Sequence, residues 1–336
     1  MKTDNKISSV PTNIITGFLG TGKTTAILNL LKNKPAGEKW AVLVNEFGEI
    51  GVDGSIFEGQ HSEEQGVFIR EVPGGCMCCT AGLPMQIALN VLLTKARPDR
   101  LLIEPTGLGH PAEVLATLSG EHYRESLSIH HVVTLVDARV LSDARYTEHE
   151  TFNQQIGIAD LVVGNKADLY QDGDRDALKA YVSRHGAAHA KMLITAQGIL
   201  EPSWLEGPTR NAAVEQHHHH QHSSDEPSIA GMPFPDSGYL KAENQGEGFK
   251  SVGWRFTPHW EFDHSRLFSF LNGLEAERMK GVFITPKGIF GYNLTADGLT
   301  EMPIDECADS RIEIIAREID ETWQKQLMDC VIPGWV

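Results

Sequence analysis

The sequence lacks any apolar run long enough to cross a membrane, and it has only five cysteines in 336 residues. Because a membrane-spanning helix needs about 20 mostly apolar residues, we expect no membrane partner. The N-terminal segment MKTDNKISSVPTNIITGF lacks the apolar core and cleavage site of a secretory signal, which predicts a cytoplasmic protein. Cys307 and Cys330 stand alone, and an odd cysteine count in a reducing compartment argues against a disulfide framework.

Positive charge is also scarce. The chain has 29 Lys and Arg against 45 Asp and Glu, a formal net charge of -16. Such a surface repels polyphosphate backbones, so we expect no nucleic acid partner. The hydrophobic content of 41% and charged content of 22% are typical of a soluble globular protein, and the length favours two domains.

Short apolar strands alternate with helical patterns over the first two hundred residues, as in NIIT followed by TTAILNLLKN. Many strands end in a glycine or carboxylate loop, and a helix often follows. This alternation predicts an α/β fold of the P-loop NTPase type, with a doubly wound, mostly parallel sheet. Ligands of such sheets bind beyond the carboxyl ends of the strands.

The periodicity is lost between about residues 206 and 247, where EQHHHHQHSSDEP is followed by prolines and glycines. This polar composition cannot form a core and is typical of a linker. Regular patterns resume with KSVGWRFT and end with ETWQKQLMDC. We therefore predict a P-loop domain over 1–205, a His-rich linker over 206–247, and a small α+β C-terminal domain over 248–336.

The segment GFLGTGKT, Gly17 to Thr24, matches the phosphate-binding pattern G-x-x-x-x-G-K-[ST]. It follows the strand NIIT and opens a helix, so backbone N–H groups and the helix N-terminus can face phosphates. Lys23 is expected to reach the β and γ phosphates, and Thr24 to hold Mg²⁺. The predicted nucleotide contacts in this loop are Gly17, Gly20, Thr21, Gly22, Lys23, Thr24 and Thr25.

Asn165, Lys166 and Asp168 form an N-K-x-D pattern at the end of the strand ADLVVG. A carboxylate at this position can accept two hydrogen bonds from guanine N1–H and the 2-amino group, whereas adenine offers an acceptor and no amine. The mismatch would leave a buried charge unpaired, and sites of this kind discriminate strongly. The pattern therefore favours GTP and GDP over ATP.

The segment EPTG, Glu104 to Gly107, ends the strand RLLI. Glu104 is expected to orient Mg²⁺ and Gly107 to present its N–H to the γ-phosphate. Two further residues are weaker candidates: Asp137 can serve catalysis or cap a turn, and His110 can be a metal ligand.

Cys76, Cys78 and Cys79 lie within PGGCMCCT, after the third predicted strand. Thiolates suit Zn²⁺ or Cu⁺, and the preceding glycines let the backbone turn several sulfurs toward one ion. Three thiols do not complete a tetrahedral site, and Glu49, in NEFGE at the end of the second strand, is the first outside candidate. A redox-reactive pair and inert core cysteines are the alternatives.

The motifs GFLGTGKTT, NEFGE, GGCMCC, EPTG and NKAD, in this order, resemble the CobW-type metallochaperone GTPases, which are related to the urease and hydrogenase nickel-insertion GTPases. WAVLVNEFGE, PGGCMCC, GLPMQ and RLLIEPTGLGHP are similar to the YeiR zinc-binding branch. The resemblance implies a zinc-responsive GTPase whose C-terminal domain faces clients or other subunits. Some members carry a metal-binding Glu just before N-E-F-G; here that position is Val44, so Glu49 is the expected carboxylate ligand.

The sequence thus predicts a zinc-binding GTPase that transfers metal to a client protein, with GTP, Mg²⁺ and Zn²⁺ as its ligands. We expect nucleotide binding to set the distance between Glu49 and the cysteine loop. Imidazoles in the linker are expected to gather accessory zinc, and these are His217, His218, His219, His220 and His222. A GTP-binding zinc buffer or sensor, a chaperone for cobalt or another metal, a P-loop kinase and a homo-oligomer stay open.

Overall fold

The computed structural model describes residues 7–44, 63–72, 83–211, 232–246 and 248–333. The described residues up to 211 form one compact unit, and those from 232 onward form a second. None of the described helices is long and apolar enough to span a bilayer.

The first unit is built on a parallel sheet of eight strands. Their order is β3-β2-β4-β1-β6-β7-β8, and β5 pairs with the first half of β1. The strands are β1 Val10–Gly17, β2 Trp40–Val44, β3 Val67–Glu71, β4 Arg100–Glu104, β5 Leu127–Ile129, β6 Val133–Asp137, β7 Leu161–Asn165 and β8 Lys191–Ile194. The predicted α/β fold with a mostly parallel sheet is confirmed.

Six described helices accompany this sheet. They are α1 Lys23–Lys32, α2 Leu83–Ala96, α3 Pro111–Ser119, α4 Ala144–Thr147, α5 Glu150–Gly157 and α6 Asp174–His185. Apolar residues of α2 and α3 pack with those of β1, β2 and β4 in one buried cluster. All five residues of β2, β4, β6 and β7 are buried, which explains why these strands appear in the sequence as apolar runs.

The parallel arrangement brings the carboxyl ends of four strands to one edge of the sheet. β1 ends at Gly17, β4 at Glu104, β6 at Asp137 and β7 at Asn165. Since β1 lies between β4 and β6, the loop after β1 is flanked by the ends of both neighbours. The fold therefore gathers the predicted nucleotide residues at this edge.

The second unit is a six-stranded antiparallel sheet with two described helices, as predicted for a small α+β domain. The strand order is β13-β12-β11-β14-β10-β9. Its elements are β9 Tyr239–Gly246, β10 Phe249–Phe256, α7 His264–Asn272, β11 Arg278–Thr285, β12 Gly288–Thr295, β13 Gly298–Ile304, β14 Ser310–Ala316 and α8 Trp323–Met328. Large aromatic side chains, among them Trp254, Phe256 and Phe283, fill its core.

The described residues at both ends of the predicted linker belong to the two compact units. Strand β9 lies inside the segment 206–247, and its residues are half-buried or exposed because β9 is an edge strand. Its polar sequence, YLKAENQG, hides the strand from an analysis of apolar periodicity. The limits themselves stay predictions, and residues 212–231 lie outside the described part of the chain.

Residues 205–211, which we call the strap, belong to the first unit. Leu205 O accepts a hydrogen bond from Asn13 Nδ2 at 2.9 Å, and Glu206 pairs with Arg100. Arg210 N donates to Asp160 Oδ1 at 2.9 Å. Arg100 opens β4 and Asp160 precedes β7, so these two contacts lie at the amino ends of the strands.

Candidate functional site

The backbone conformation of the loop between β1 and α1 depends on three glycines. Gly17, Gly20 and Gly22 all have positive φ, and Gly22 is the left-handed residue that precedes α1. A Cβ on Gly17 would lie 2.4 Å from Leu135 O, so no side chain fits there. Thr21 Oγ1 donates to Phe18 O at 2.9 Å and closes the loop on itself. Backbone N–H groups curled in this way at a helix N-terminus suit a phosphate.

Lys23 is the first residue of α1 and is 5% exposed. Its Nζ donates to Gly17 O at 2.8 Å and to Phe18 O at 3.1 Å. The ammonium group therefore lies against the backbone of the loop, where it can also donate a hydrogen bond to a phosphate oxygen. Thr25, two residues further along the helix, is exposed.

Thr24 and Glu104 bring two oxygen ligands together beside this lysine. Thr24 Oγ1 donates to Glu104 Oε1 at 3.1 Å, and Glu104 is 2% exposed at the end of β4. A hydroxyl and a carboxylate are hard oxygen ligands, which fit Mg²⁺.

Gly107 comes close to the same lysine. A Cβ on Gly107 would lie 2.9 Å from Leu19 Cδ2, 3.0 Å from Lys23 Nζ and 3.1 Å from Leu19 N. The segment EPTG thus packs directly on the loop Gly17 to Thr24, which we call the phosphate loop. This contact agrees with the neighbouring positions of β1 and β4 in the sheet.

Asn165 joins the phosphate loop to the segment after β8. Its Nδ2 donates to Thr21 O at 2.8 Å, and its Oδ1 accepts from Gly198 N at 2.9 Å. Asn165 is 2% exposed, and a Cβ on Gly22 would lie 2.6 Å from its Nδ2. The amide of Asn165 is thus occupied by backbone partners, and its geometry is that of a clamp between two loops.

Lys166 and Asp168 follow this clamp. Lys166 has a left-handed backbone, and its Nζ lies 3.6 Å from Asp137 Oδ2. Asp168 is exposed, so its carboxylate is accessible to the base of a nucleotide. Asp137 accepts from Arg139 N at 3.1 Å and from the Arg139 guanidinium, so it caps the turn after β6. Of the two roles considered for Asp137, the structure shows the cap.

Tyr170 supports the same turn from the other side. Its hydroxyl accepts from Ala138 N at 3.1 Å and donates to Val136 O at 3.4 Å. Burial raises the pKa of Tyr170 to about 12. The phenol therefore stays protonated and serves as a neutral support for the turn after β6.

Two residues of this region support neighbouring loops in a way that the sequence did not indicate: Gln155 and Gly198. His110 Nδ1 lies 2.8 Å from Gln154 Oε1, and Gln155 Nε2 donates to Gly107 O at 3.0 Å. The one available signal was the position of Gln155 among buried residues on the apolar side of α5. A polar residue in such a stripe needs hydrogen-bond partners, which points to a nearby loop.

The candidate zinc ligands lie outside the described residues; they are Glu49, Cys76, Cys78, Cys79, His217, His218, His219, His220 and His222. Within the described part of the chain, no cluster of three or more His, Cys, Asp or Glu residues could hold a metal ion. Burial raises the pKa of both Cys307 and Cys330 to about 11, which keeps these thiols protonated. They are poor metal ligands, since a metal binds the thiolate.

Comparison with known proteins shows which family this chain belongs to. The family model of the CobW/HypB/UreG nucleotide-binding domain matches residues 11–193 of this chain. The chain belongs to the CobW/HypB/UreG family. It is 39% identical over 310 residues to the zinc chaperone YeiR of Escherichia coli, covering 91% of this chain and 92% of the relative. It is also 31% identical over 223 residues to the zinc chaperone CobW of Sinorhizobium sp, covering 59% and 62% of the two chains.

Membership of the CobW/HypB/UreG family confirms the resemblance inferred from the motifs. Among solved structures, Zn(II)-bound YjiA GTPase from E. coli is similar over 96% of this chain and 99% of that chain, with 20% identity and a TM-score of 0.44. The matched residues 11–193 contain the phosphate loop, Glu104, Gly107 and Asn165. The family's domain therefore covers most of the first unit, including the strand ends that carry these residues.

Proposed function

We propose that this chain is a zinc-binding GTPase that couples GTP binding and hydrolysis to the capture of zinc and its transfer to a client protein. The observation that carries the nucleotide part is the convergence of Lys23, Thr24 and Glu104 at one edge of the sheet. Zinc is supported by the relative at 39% identity, which is described as a zinc chaperone.

The positions of the described residues support the following proposed roles. Lys23 would neutralise the β and γ phosphates, and Gly107 would offer its N–H to the γ-phosphate. Thr24 and Glu104 would hold Mg²⁺, which neutralises phosphate charge when it is bound. Asp168 would accept hydrogen bonds from guanine.

Zinc is the cargo in this proposal. Cys76, Cys78 and Cys79 would bind it together with Glu49, and the linker imidazoles would supply it. Because the NEFGE segment follows β2 and the cysteines follow β3, nucleotide-dependent movement of the first would change the zinc site. Coupling between two binding sites is reciprocal, so zinc and nucleotide would alter each other's affinity by the same factor, typically ~5 to 150-fold.

The proposal is tested by measuring phosphate release from GTP with and without one equivalent of Zn²⁺. We expect slow hydrolysis that zinc accelerates, and no hydrolysis by the Lys23→Ala control. Equal rates with and without zinc would contradict the metal response. A wild-type rate equal to that of Lys23→Ala would instead favour a zinc buffer or sensor that binds GTP without turnover.

A metal titration in GDP and in a non-hydrolysable GTP analogue tests the coupling itself. We expect zinc affinity to differ between the two nucleotides and to fall in Cys78→Ala. The same titration with cobalt shows which metal the site prefers. Transfer of labelled γ-phosphate to an acceptor other than water would contradict hydrolysis and indicate a kinase.

A further inference from the structure

Helix α5 presents a fully buried glutamine to the segment that follows β4. Gln155 is 1% exposed, and its Nε2 lies 3.0 Å from Gly107 O and 3.5 Å from Gly109 O. Since Nε2 donates to two carbonyl oxygens, the orientation of the amide is fixed by its partners.

The backbone between Thr106 and Gly109 is tied at several points. Leu108 N donates to Thr106 Oγ1 at 3.2 Å, and Gly109 N donates to Thr106 O at 3.1 Å. These bonds shape the segment internally, whereas Gln155 ties two of its carbonyls to another element. The Gln155 amide therefore determines where this turn stands relative to α5.

The same segment is pressed against the phosphate loop. Gly107 approaches Lys23 Nζ and Leu19 N so closely that a Cβ would meet both at 3.0 to 3.1 Å. A small shift of Gly107 would thus change its distance to the group that binds the terminal phosphate.

Other contacts of α5 fix the helix itself. Thr134 Oγ1, on β6, donates to the backbone oxygen of Gln155 at 2.6 Å. Phe152 meets the phosphate-loop residue Phe18 edge to face, with ring centroids 5.9 Å apart, and His149, the residue before α5, does so at 4.8 Å. One helix therefore contacts both loops that face the terminal phosphate.

A buried glutamine is an unusual choice for packing alone. Its Oε1 is buried and has no hydrogen-bond partner among the described residues. An apolar side chain would fill this space without leaving a carbonyl oxygen unsatisfied. The amide is explained by its two donated hydrogen bonds, and their effect is on the backbone of Gly107 and Gly109.

We propose that Gln155 is a positioning residue that holds the Gly107–Gly109 backbone in the arrangement that binds the γ-phosphate. This inference rests on the proposed function and adds to it a residue outside the nucleotide motifs. Because GDP lacks the γ-phosphate, Gln155 should matter for GTP and not for GDP.

The test compares Gln155→Met with Gln154→Met in the full chain. Methionine keeps the length of the side chain and removes both donors, and Gln154 is a half-buried neighbour on the same helix that bonds His110 and Glu150 instead. The affinities for GDP and for a non-hydrolysable GTP analogue are measured by calorimetry, and hydrolysis is measured in a single turnover.

For Gln155→Met we expect about tenfold weaker binding of the GTP analogue, as the loss of one to two hydrogen bonds predicts, with slower hydrolysis and GDP affinity within about twofold of wild type. Gln154→Met should match wild type. Gln155→Asn, which keeps the amide but withdraws it by one methylene, is the second variant and should show the same selective loss.

Equal weakening of GDP and the GTP analogue in both Gln155 variants would overturn the inference, because it would indicate a general packing role. Unchanged affinities for both nucleotides would overturn it as well. Failure of the wild-type chain to bind either nucleotide would overturn the proposed function and this inference with it, so the two failures are distinguishable.

Discussion

Gly107 shows how tightly two loops of the first unit meet. The space where its Cβ would lie is bounded by the side chain and backbone N of Leu19 and by the ammonium group of Lys23. Backbone atoms cannot yield as a flexible side chain can. A side chain at this position would therefore force Leu19 and the Lys23 ammonium group to shift.

We expect Gly107→Ala to weaken binding of a GTP analogue by about tenfold or more, because overpacking of this kind costs about 1–3 kcal/mol. Isothermal calorimetry measures the affinity. Gly157→Ala is the matched control, since a Cβ at Gly157 would meet His185 O at an ordinary 3.7 Å. Wild-type affinity in Gly107→Ala would contradict the close approach.

The raised pKa values of Cys307 and Cys330 predict slow alkylation. Burial comes first among the causes, followed by the charges of Asp309 and Asp329 respectively. At pH 8 a thiol with a pKa of about 11 has a thiolate fraction roughly a hundredfold smaller than one at the ordinary value of 9.0. Iodoacetamide labelling followed by mass spectrometry should find both slow in the folded protein and fast in urea.

The same shifts have a defined effect on stability. The folded pKa of each thiol lies above its unfolded value, so the fold favours the protonated form. This contribution is fully present below about pH 9 and is lost as the pH rises through about 11. Rapid labelling of either cysteine in the folded protein at pH 8 would contradict the burial that causes the shift.

In the second unit, strands β10 and β14 place two arginines opposite each other. Arg255 and Arg311 are cross-strand partners, and both donate to Asp309, at 2.7 Å in each case. Asp309 is 2% exposed. Like charges in register repel, and the carboxylate between them offsets this repulsion.

We therefore expect Asp309→Asn to lower the free energy of unfolding by about 3 kcal/mol, because it removes the carboxylate charge that both largely buried guanidinium groups contact. Differential scanning calorimetry measures the loss. Asp329→Asn breaks the exposed Lys325–Asp329 pair and should change stability by no more than about 0.5 kcal/mol. Similar effects of the two substitutions would show that burial does not set the strength of the Asp309 interactions.

Strands and helices with strong apolar periodicity could be predicted from the sequence. The predicted strand NIIT lies within β1, and the predicted helix TTAILNLLKN matches α1 to within one residue at each end. Strands β9 and β13 show no such periodicity, because both are edge strands whose residues are mostly half-buried or exposed. Periodicity reports burial, and an edge strand that buries little gives little signal.

Motifs in the sequence predict the nucleotide-binding residues, whereas the residues that position those loops could not be predicted. A pattern such as GFLGTGKT fixes both the loop and its position between a strand and a helix. Gln155 acts through two carbonyl oxygens 48 and 46 residues away in sequence, and such a pairing exists only once α5 has packed beside the segment after β4. Asn165 was predicted to contact the nucleotide, and its clamp between two loops appears only in the folded chain.

For the molecule as a whole, the mostly parallel first unit and the small α+β second unit could be predicted. The two parts of the sequence differ in the order of their strand and helix patterns. Strands alternate with helices before residue 206, and strands follow one another after residue 248. The segment between them was harder to divide, since the strap and β9 are polar yet ordered by long-range partners.

The strap determines where the first unit can be separated from the rest. A recombinant fragment that stopped at residue 205 would lack the carboxylate of Glu206, and the Arg100 side chain, only 10% exposed, would keep its charge without that neighbour. Asp160 would also lose the amide of Arg210. A fragment intended for isolated study of the nucleotide-binding part should therefore extend through Asn211.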